Sequence, residues 1–211
     1  MKLIVSLSGL LLHFLLLHWT ESVEEEKVNL TSLTKIIDFF KQNYTIKTAE
    51  GYSKPYAVAI NVPKNQCNGS FDPSTFLTRE NTTNVTDAIY NNSRFYKGNE
   101  LIAVGPRSLN DCKINPVSEL LTNGFEELLK RRNDSCVVFY SVCCIYINIE
   151  PALETLKNHS GIKAFVFSEV YGVDENVHQC SMHIKYCAQN CKEIVKYVPF
   201  YRCKQHCVKA M

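Results

Sequence analysis

Three groups of residues in this chain have the types and spacings that carry chemistry. The first is Glu119, two residues after Val117 in the run Asn115-Pro116-Val117-Ser118-Glu119-Leu120-Leu121. Proline suits the first position of a helix, so Glu119 falls in a first helical turn, where the dipole favours a carboxylate. The second is the pair Cys143-Cys144 behind an apolar run. Such thiols enter disulfides, Cys112 being one partner in reach, or stay buried as small hydrophobes. A thiolate nucleophile needs a base to lower its pKa, and none stands near in the sequence. The third group is Cys187-x3-Cys191 with Cys203-x3-Cys207. Each pair has the spacing that shares one face of a helix. Two such helices running antiparallel would be stapled by Cys187–Cys207 and Cys191–Cys203, although spacing alone does not fix pairing. The alternative is a zinc set of His183, Cys187, Cys191 and His206, which an oxidising compartment disfavours against disulfides.

That compartment is set by the N-terminus. Lys2 precedes a mainly apolar run from Leu3 to Leu17, and Thr20 and Ser22 supply small residues behind it. These are the features of a secretory signal peptide over residues 1–22. A membrane anchor is the other reading, but the run is shorter than the ~20 residues a span needs. No later run is long enough either. The ten cysteines suit an oxidising compartment. So do eight N-x-S/T sequons, at Asn29, Asn43, Asn68, Asn81, Asn84, Asn91, Asn133 and Asn158. The expected product is a secreted, disulfide-bonded glycoprotein without a membrane span. A net charge of +2 makes no strong electrostatic case for nucleic acid or a membrane surface.

The elements that must position these groups follow from periodicity. Leu30, Leu33, Ile36, Ile37 and Phe40 predict a helix over about 30–42, capped by Asn29 or Thr31. Pro55 to Pro63 brackets a buried strand, and Glu100 to Val104 is a second; the two are placed as a hairpin across an insertion. That insertion, 64–97, is polar and sequon-rich, with one short helix near Val85–Tyr90. Pro116 then opens a helix whose buried stripe is Leu120, Leu121, Phe125, Leu128 and Leu129. Ser135 to Tyr140 is a third strand, 149–158 a helix with Leu153 and Leu156 inward, and Gly161 to Phe167 a fourth strand. Strands separated by helices of this length imply crossovers and a mixed α/β sheet. The predicted organisation is a signal peptide (1–22), one domain (23–179) and a Cys-rich helical segment (180–211).

The order of elements, with Tyr56–Val62, Ser118-Glu119-Leu120-Leu121, Cys136–Tyr140 and Gly161–Glu169 in sequence, resembles the cytidine deaminase-like fold. More closely the chain resembles the secreted AID/APOBEC-like deaminases of fish, over about residues 30–190. The resemblance implies a three-layer α/β fold with a mixed central sheet. It also implies a chemistry in which one His and two Cys hold zinc, zinc activates a water, and a Glu carries protons during attack on cytosine. Glu119 matches that proton-shuttle Glu. Val117 occupies the His position and has no metal-binding atom. Cys143 or Cys144 matches the first Cys, but three residues on stands Tyr146 or Ile147, and the proline before the first Cys is missing. Asp111 and Cys112 are the nearest substitutes, while His159 and His178 fall elsewhere.

Two functions are therefore expected to compete. One is a secreted protein of deaminase fold that has lost its ligands, needs no cofactor and acts by binding. By family analogy its partner is nucleic acid or a microbial or host ligand, in immune defence. The other is an active zinc deaminase on single-stranded nucleic acid or a nucleoside, with replacement ligands. Lys192, Lys196, Arg202, Lys204 and Lys209 cluster near the C-terminus and are read as a solvated face.

Overall fold

The computed structural model describes residues 27–49, 51, 53–91, 93–106, 116–143, 150–169 and 198–210. Residues 1–22, the expected signal peptide, and Asp111, Cys112, Cys144, His178, His183, Cys187 and Cys191 lie outside the described residues.

The first helix, α1 (Leu30–Tyr44), starts where Asn29 accepts hydrogen bonds from the amides of Thr31 and Ser32 at 2.9 and 3.1 Å. Satisfying these otherwise orphaned donors is what an N-cap does. Strand β1 (Ala57–Val62) follows, then a single turn α2 (Asn65–Asn68), helix α3 (Thr82–Tyr90), and strands β2 (Phe95–Lys97) and β3 (Leu101–Val104). Helices α4 (Pro116–Asn123) and α5 (Phe125–Lys130) lead to β4 (Cys136–Cys143). Helix α6 (Glu150–Asn158), β5 (Ile162–Glu169) and the strands β6 (Phe200–Cys203) and β7 (Cys207–Lys209) complete the order.

The seven strands form one sheet in the order β2-β3-β1-β4-β5-β6-β7. Strands β1 and β3 pair antiparallel, as the hairpin expectation has it, while β4 and β5 pair in parallel across α6. Side chains alternate between the faces, as a period of two requires. Val58, Ile60, Val138, Tyr140, Ala164 and Val166 join a core beneath α1 and α3. Ala57, Ala59, Val137, Phe139 and Phe165 join a second core with Leu120, Leu121, Phe125, Leu128 and Leu129 of α4 and α5 and Leu156 of α6. The fold is thus the mixed, three-layer α/β sandwich expected from the order of elements. Polar Asn61 sits in β1 at 3% exposure because its amide nitrogen donates to the carbonyls of Leu128 and Arg132, at 2.7 and 3.2 Å. It caps carbonyls at the end of α5 that helix geometry leaves without partners.

Three local expectations are revised. The helix expected to run through Phe125 breaks at Gly124, against which the ring of Phe95 packs. The segment 64–97 is built into the sandwich: Cys67 is bonded to Cys136, and Phe71, Phe76, Leu77, Val85 and Ile89 are buried in the core under α1. Glu80 ties it down, accepting from the phenol of Tyr96 and the amide of Glu100, both at 2.8 Å. Burial and that bond push the Tyr96 phenol up to about 12. Lastly, residues 200–209 are a hairpin and not a helix, which overturns the pairings Cys191–Cys203 and Cys187–Cys207. The register sets Cys203 opposite Cys207, and these two sulfurs are bonded to each other. Opposed residues across a tight turn are also four apart in sequence, so the helical spacing of Cys203 and Cys207 has a second solution.

Candidate functional site

Glu119 is delivered by α4, whose buried stripe through Leu120 and Leu121 seats the helix on β1 and β3. Its carboxylate is 16% exposed and lies 3.6 Å from the guanidinium of Arg94. Arg94 immediately precedes β2, where Phe95 pairs with Val104. Val104 pairs with Ala57, and Ala57 with Ser141. Glu119 therefore stands at the end of the sheet where β4 runs out through Cys143, whose backbone pairs with Glu169 of β5. The register puts the head of α4 and the end of β4 at the same end of the sheet. Val117 lies in the first turn of α4, two residues before Glu119.

Arg94 is the residue of this site that the sequence did not signal. It sits in a polar, sequon-rich stretch, and its backbone adopts a φ of 62°. Non-glycine residues enter that left-handed region rarely and at a cost. Two hydrogen bonds hold it there: its amide donates to the Ala88 carbonyl at 2.7 Å, and its carbonyl accepts from the Gly105 amide at 2.8 Å. Gly105 must be glycine for this, since a Cβ would fall 1.7 Å from the Ile89 carbonyl oxygen.

The donor set does not fit a zinc ion of the deaminase kind. A catalytic zinc takes three protein ligands and keeps one open position. Of the matched positions, Val117 offers no donor atom, and Cys143 or Cys144 supplies one thiol with Tyr146 or Ile147 in the place of the second. Among the described residues, no group of three or more His, Cys, Asp or Glu is placed to hold a metal ion. His206, named in the alternative zinc set, is exposed in the β6–β7 turn beside the bonded Cys203 and Cys207.

Away from this end, His159 is 6% exposed, with its ring nitrogen 3.5 Å from the Ser135 hydroxyl. Burial, aided by the Lys163 ammonium, holds its pKa below the usual histidine range. A cleft of about 460 Å³ opens over the α4–α5 junction, lined by Leu121, Asn123, Phe125, Glu126, Lys130 and Thr155 among others. It does not reach Glu119. Of the eight sequon asparagines, Asn29, Asn68, Asn81, Asn84, Asn91, Asn133 and Asn158 are exposed and Asn43 is half-buried.

A mixed sheet with the parallel pair β4–β5, a helix head carrying Glu119, and helices on both faces define the cytidine deaminase-like class. The family model described as Secreted Novel AID/APOBEC-like Deaminase 1 matches residues 31–211, and the chain belongs to that family. No curated protein and no solved structure matches. The family is one of secreted proteins, and among the described residues no helix is long and apolar enough to cross a membrane.

Proposed function

We propose that this member of the family is a secreted glycoprotein that keeps the deaminase fold, does not deaminate and acts by binding. The observation that carries this reading is the donor set at the head of α4 and the end of β4. Only one of three ligand positions keeps a donor, with Val117 in place of the histidine. One thiolate does not retain zinc against water and competing ligands. Glu119 then serves as an ion-pair partner of Arg94 and as a first-turn carboxylate favoured by the dipole of α4. Family analogy supplies the partner classes, nucleic acid or a microbial or host ligand, and a setting in immune defence.

The test is elemental mass spectrometry of the secreted, folded protein, with free thiols counted on the same sample. Less than about a tenth of an equivalent of zinc is expected, against the one equivalent a three-ligand site would hold. Near-stoichiometric zinc would overturn the reading.

One observation favours a second reading: Glu119 is retained in the right turn at the right end of the sheet. On that reading the chain is an active zinc deaminase on single-stranded nucleic acid or a nucleoside, its missing ligands replaced by residues such as Asp111 and Cys112. Loss of cytosine deamination in Glu119→Gln, with folding intact, would establish it.

A further inference from the structure

The β6–β7 hairpin gathers cations in a stretch without a carboxylate, whereas other cations that have no ion-pair partner among the described residues, such as Lys27, Lys35 and Arg79, are scattered along the chain. Lys64, Arg94, Lys97, Lys130, Arg132 and Lys157 each lie against a carboxylate. Residues 198–210 contain Arg202, Lys204, His206 and Lys209 and no Asp or Glu. Among the described residues, Arg202, Lys204 and Lys209 have no ion-pair partner. Helix α1 braces the turn, because Lys41 donates to the carbonyls of Cys203 and Lys204 at 3.2 and 2.8 Å. A net charge of only +2 for the whole chain makes this local excess a feature of one edge of the sheet.

The turn that carries these charges is also fixed. Cys203 and Cys207 are bonded, the Cys207 amide donates to Thr34 Oγ1 at 3.1 Å, and the Ala210 amide donates to the Phe200 carbonyl at 2.8 Å. A rigid display lowers the ordering cost of binding. The chemistry of the tip narrows the ligand. Its aromatic residues Phe200 and Tyr201 are buried, at 4% and 5% exposure, so no ring is offered for bases to stack on. Val208 is its one exposed large apolar residue, too little to enter a bilayer. Lysine ammoniums are compact point charges without the fork of an arginine. They suit a polymer that carries many separate monoanionic groups.

We propose that the β6–β7 hairpin tip is a docking surface for a sulfated polysaccharide, the polyanion a secreted protein meets outside the cell. This holds whether or not the Glu119 site is catalytic.

The test is binding of the full secreted protein to immobilised heparin across a salt series. We expect Lys204→Glu with Lys209→Glu to weaken binding at least tenfold at physiological salt. It should also lower the salt slope by roughly one to two, as counterion release requires when two contacts are lost. Lys130→Glu with Lys157→Glu changes net charge equally and should stay within twofold of the parent. Chemically desulfated heparin should not bind. Should the glutamate pair fail to fold by circular dichroism, Lys204→Gln with Lys209→Gln gives the same comparison with a smaller loss. The proposal is overturned if both pairs weaken binding alike, or if the hairpin variant binds as the parent does. It is also overturned if a single-stranded oligonucleotide or phosphatidylserine vesicles bind the hairpin more tightly than heparin.

Discussion

Arg94 Nη2 lies 3.6 Å from Glu119 Oε1, and the residue that reaches this carboxylate has its own backbone in the left-handed region. The pair joins the end of the segment between β1 and β2 to the head of α4. A double-mutant cycle on Arg94→Gln and Glu119→Gln should return a coupling of about 0.5–1 kcal/mol, because Arg94 is 35% exposed and solvent screens it. Each single variant should lower the melting temperature by roughly 1–4 °C. A coupling of zero in chemical denaturation would show that the two charges do not support each other.

The Cys67–Cys136 bond closes a loop across a sequence separation of 69, tying α2 to the start of β4. Chain entropy alone assigns such a closure about 4 kcal/mol. Both sulfurs are fully buried, so replacement by alanine adds the loss of core contacts. Cys67→Ala with Cys136→Ala should therefore unfold at markedly lower denaturant, or fail to be secreted. An unchanged midpoint for a secreted double variant would mean that the segment 64–97 holds its place without the bond.

That same segment shows where the sequence stopped being legible. Strands β1, β4 and β5 announce themselves because both their faces are buried and nearly every residue is apolar. Helix α3 is legible as a short helix near Val85–Tyr90, but with only Val85 and Ile89 buried out of nine residues it gives no sign of how its segment packs. What holds its neighbourhood is distant: a disulfide to β4, and Glu80 bonded to Tyr96 and Glu100. At the site, Pro116 puts Glu119 in a first helical turn, and the resemblance to the deaminases implies the missing donor at Val117. Arg94 could not be read, because only the β2–β3–β1 register and the close approach of Gly105 to Ile89 carry it there. The C-terminal cysteines misled for a geometric reason, since a spacing of four serves a helix face and a closed hairpin equally.

His159 makes stability depend on pH in a defined direction. Burial depresses its pKa, and Lys163 and Lys64 reinforce this while the Ser135 backbone bond and Asp134 oppose it. The folded state therefore keeps the ring neutral where the unfolded chain, titrating near 6.5, takes up a proton. Unfolding then binds a proton, so stability is fully present above about pH 6.5 and falls as pH drops toward the folded pKa. The slope from this group is at most about 1.4 kcal/mol per pH unit. Unfolding free energies between pH 7.5 and 5 should decline in the parent and decline less in His159→Gln, which also preserves the Asn158 sequon. Equal slopes in the two proteins would remove His159 as the cause.

Although Asn91 also donates from its amide nitrogen, to Asp87, Asn43 differs from the other seven sequon asparagines in burial. It is half-buried between α1 and α3; its amide nitrogen donates to the Phe39 carbonyl at 2.8 Å and its oxygen accepts from Thr82 Oγ1 at 3.3 Å. A glycan on that nitrogen would have to pass between the helices, whereas Asn68, Asn84 and Asn91 open to solvent. Asn29 and Asn81 cap their helices through the oxygen, which leaves the nitrogen available for a sugar. Glycopeptide mass spectrometry of the secreted protein should find Asn43 the least occupied of the eight sites. Asn43→Gln should lower stability by about 1 kcal/mol through the lost bonds even without a glycan to lose, while Asn84→Gln should cost little beyond its sugar. High occupancy at Asn43, with a parent-like melting temperature for Asn43→Gln, would mean that α1 and α3 are not joined through this side chain.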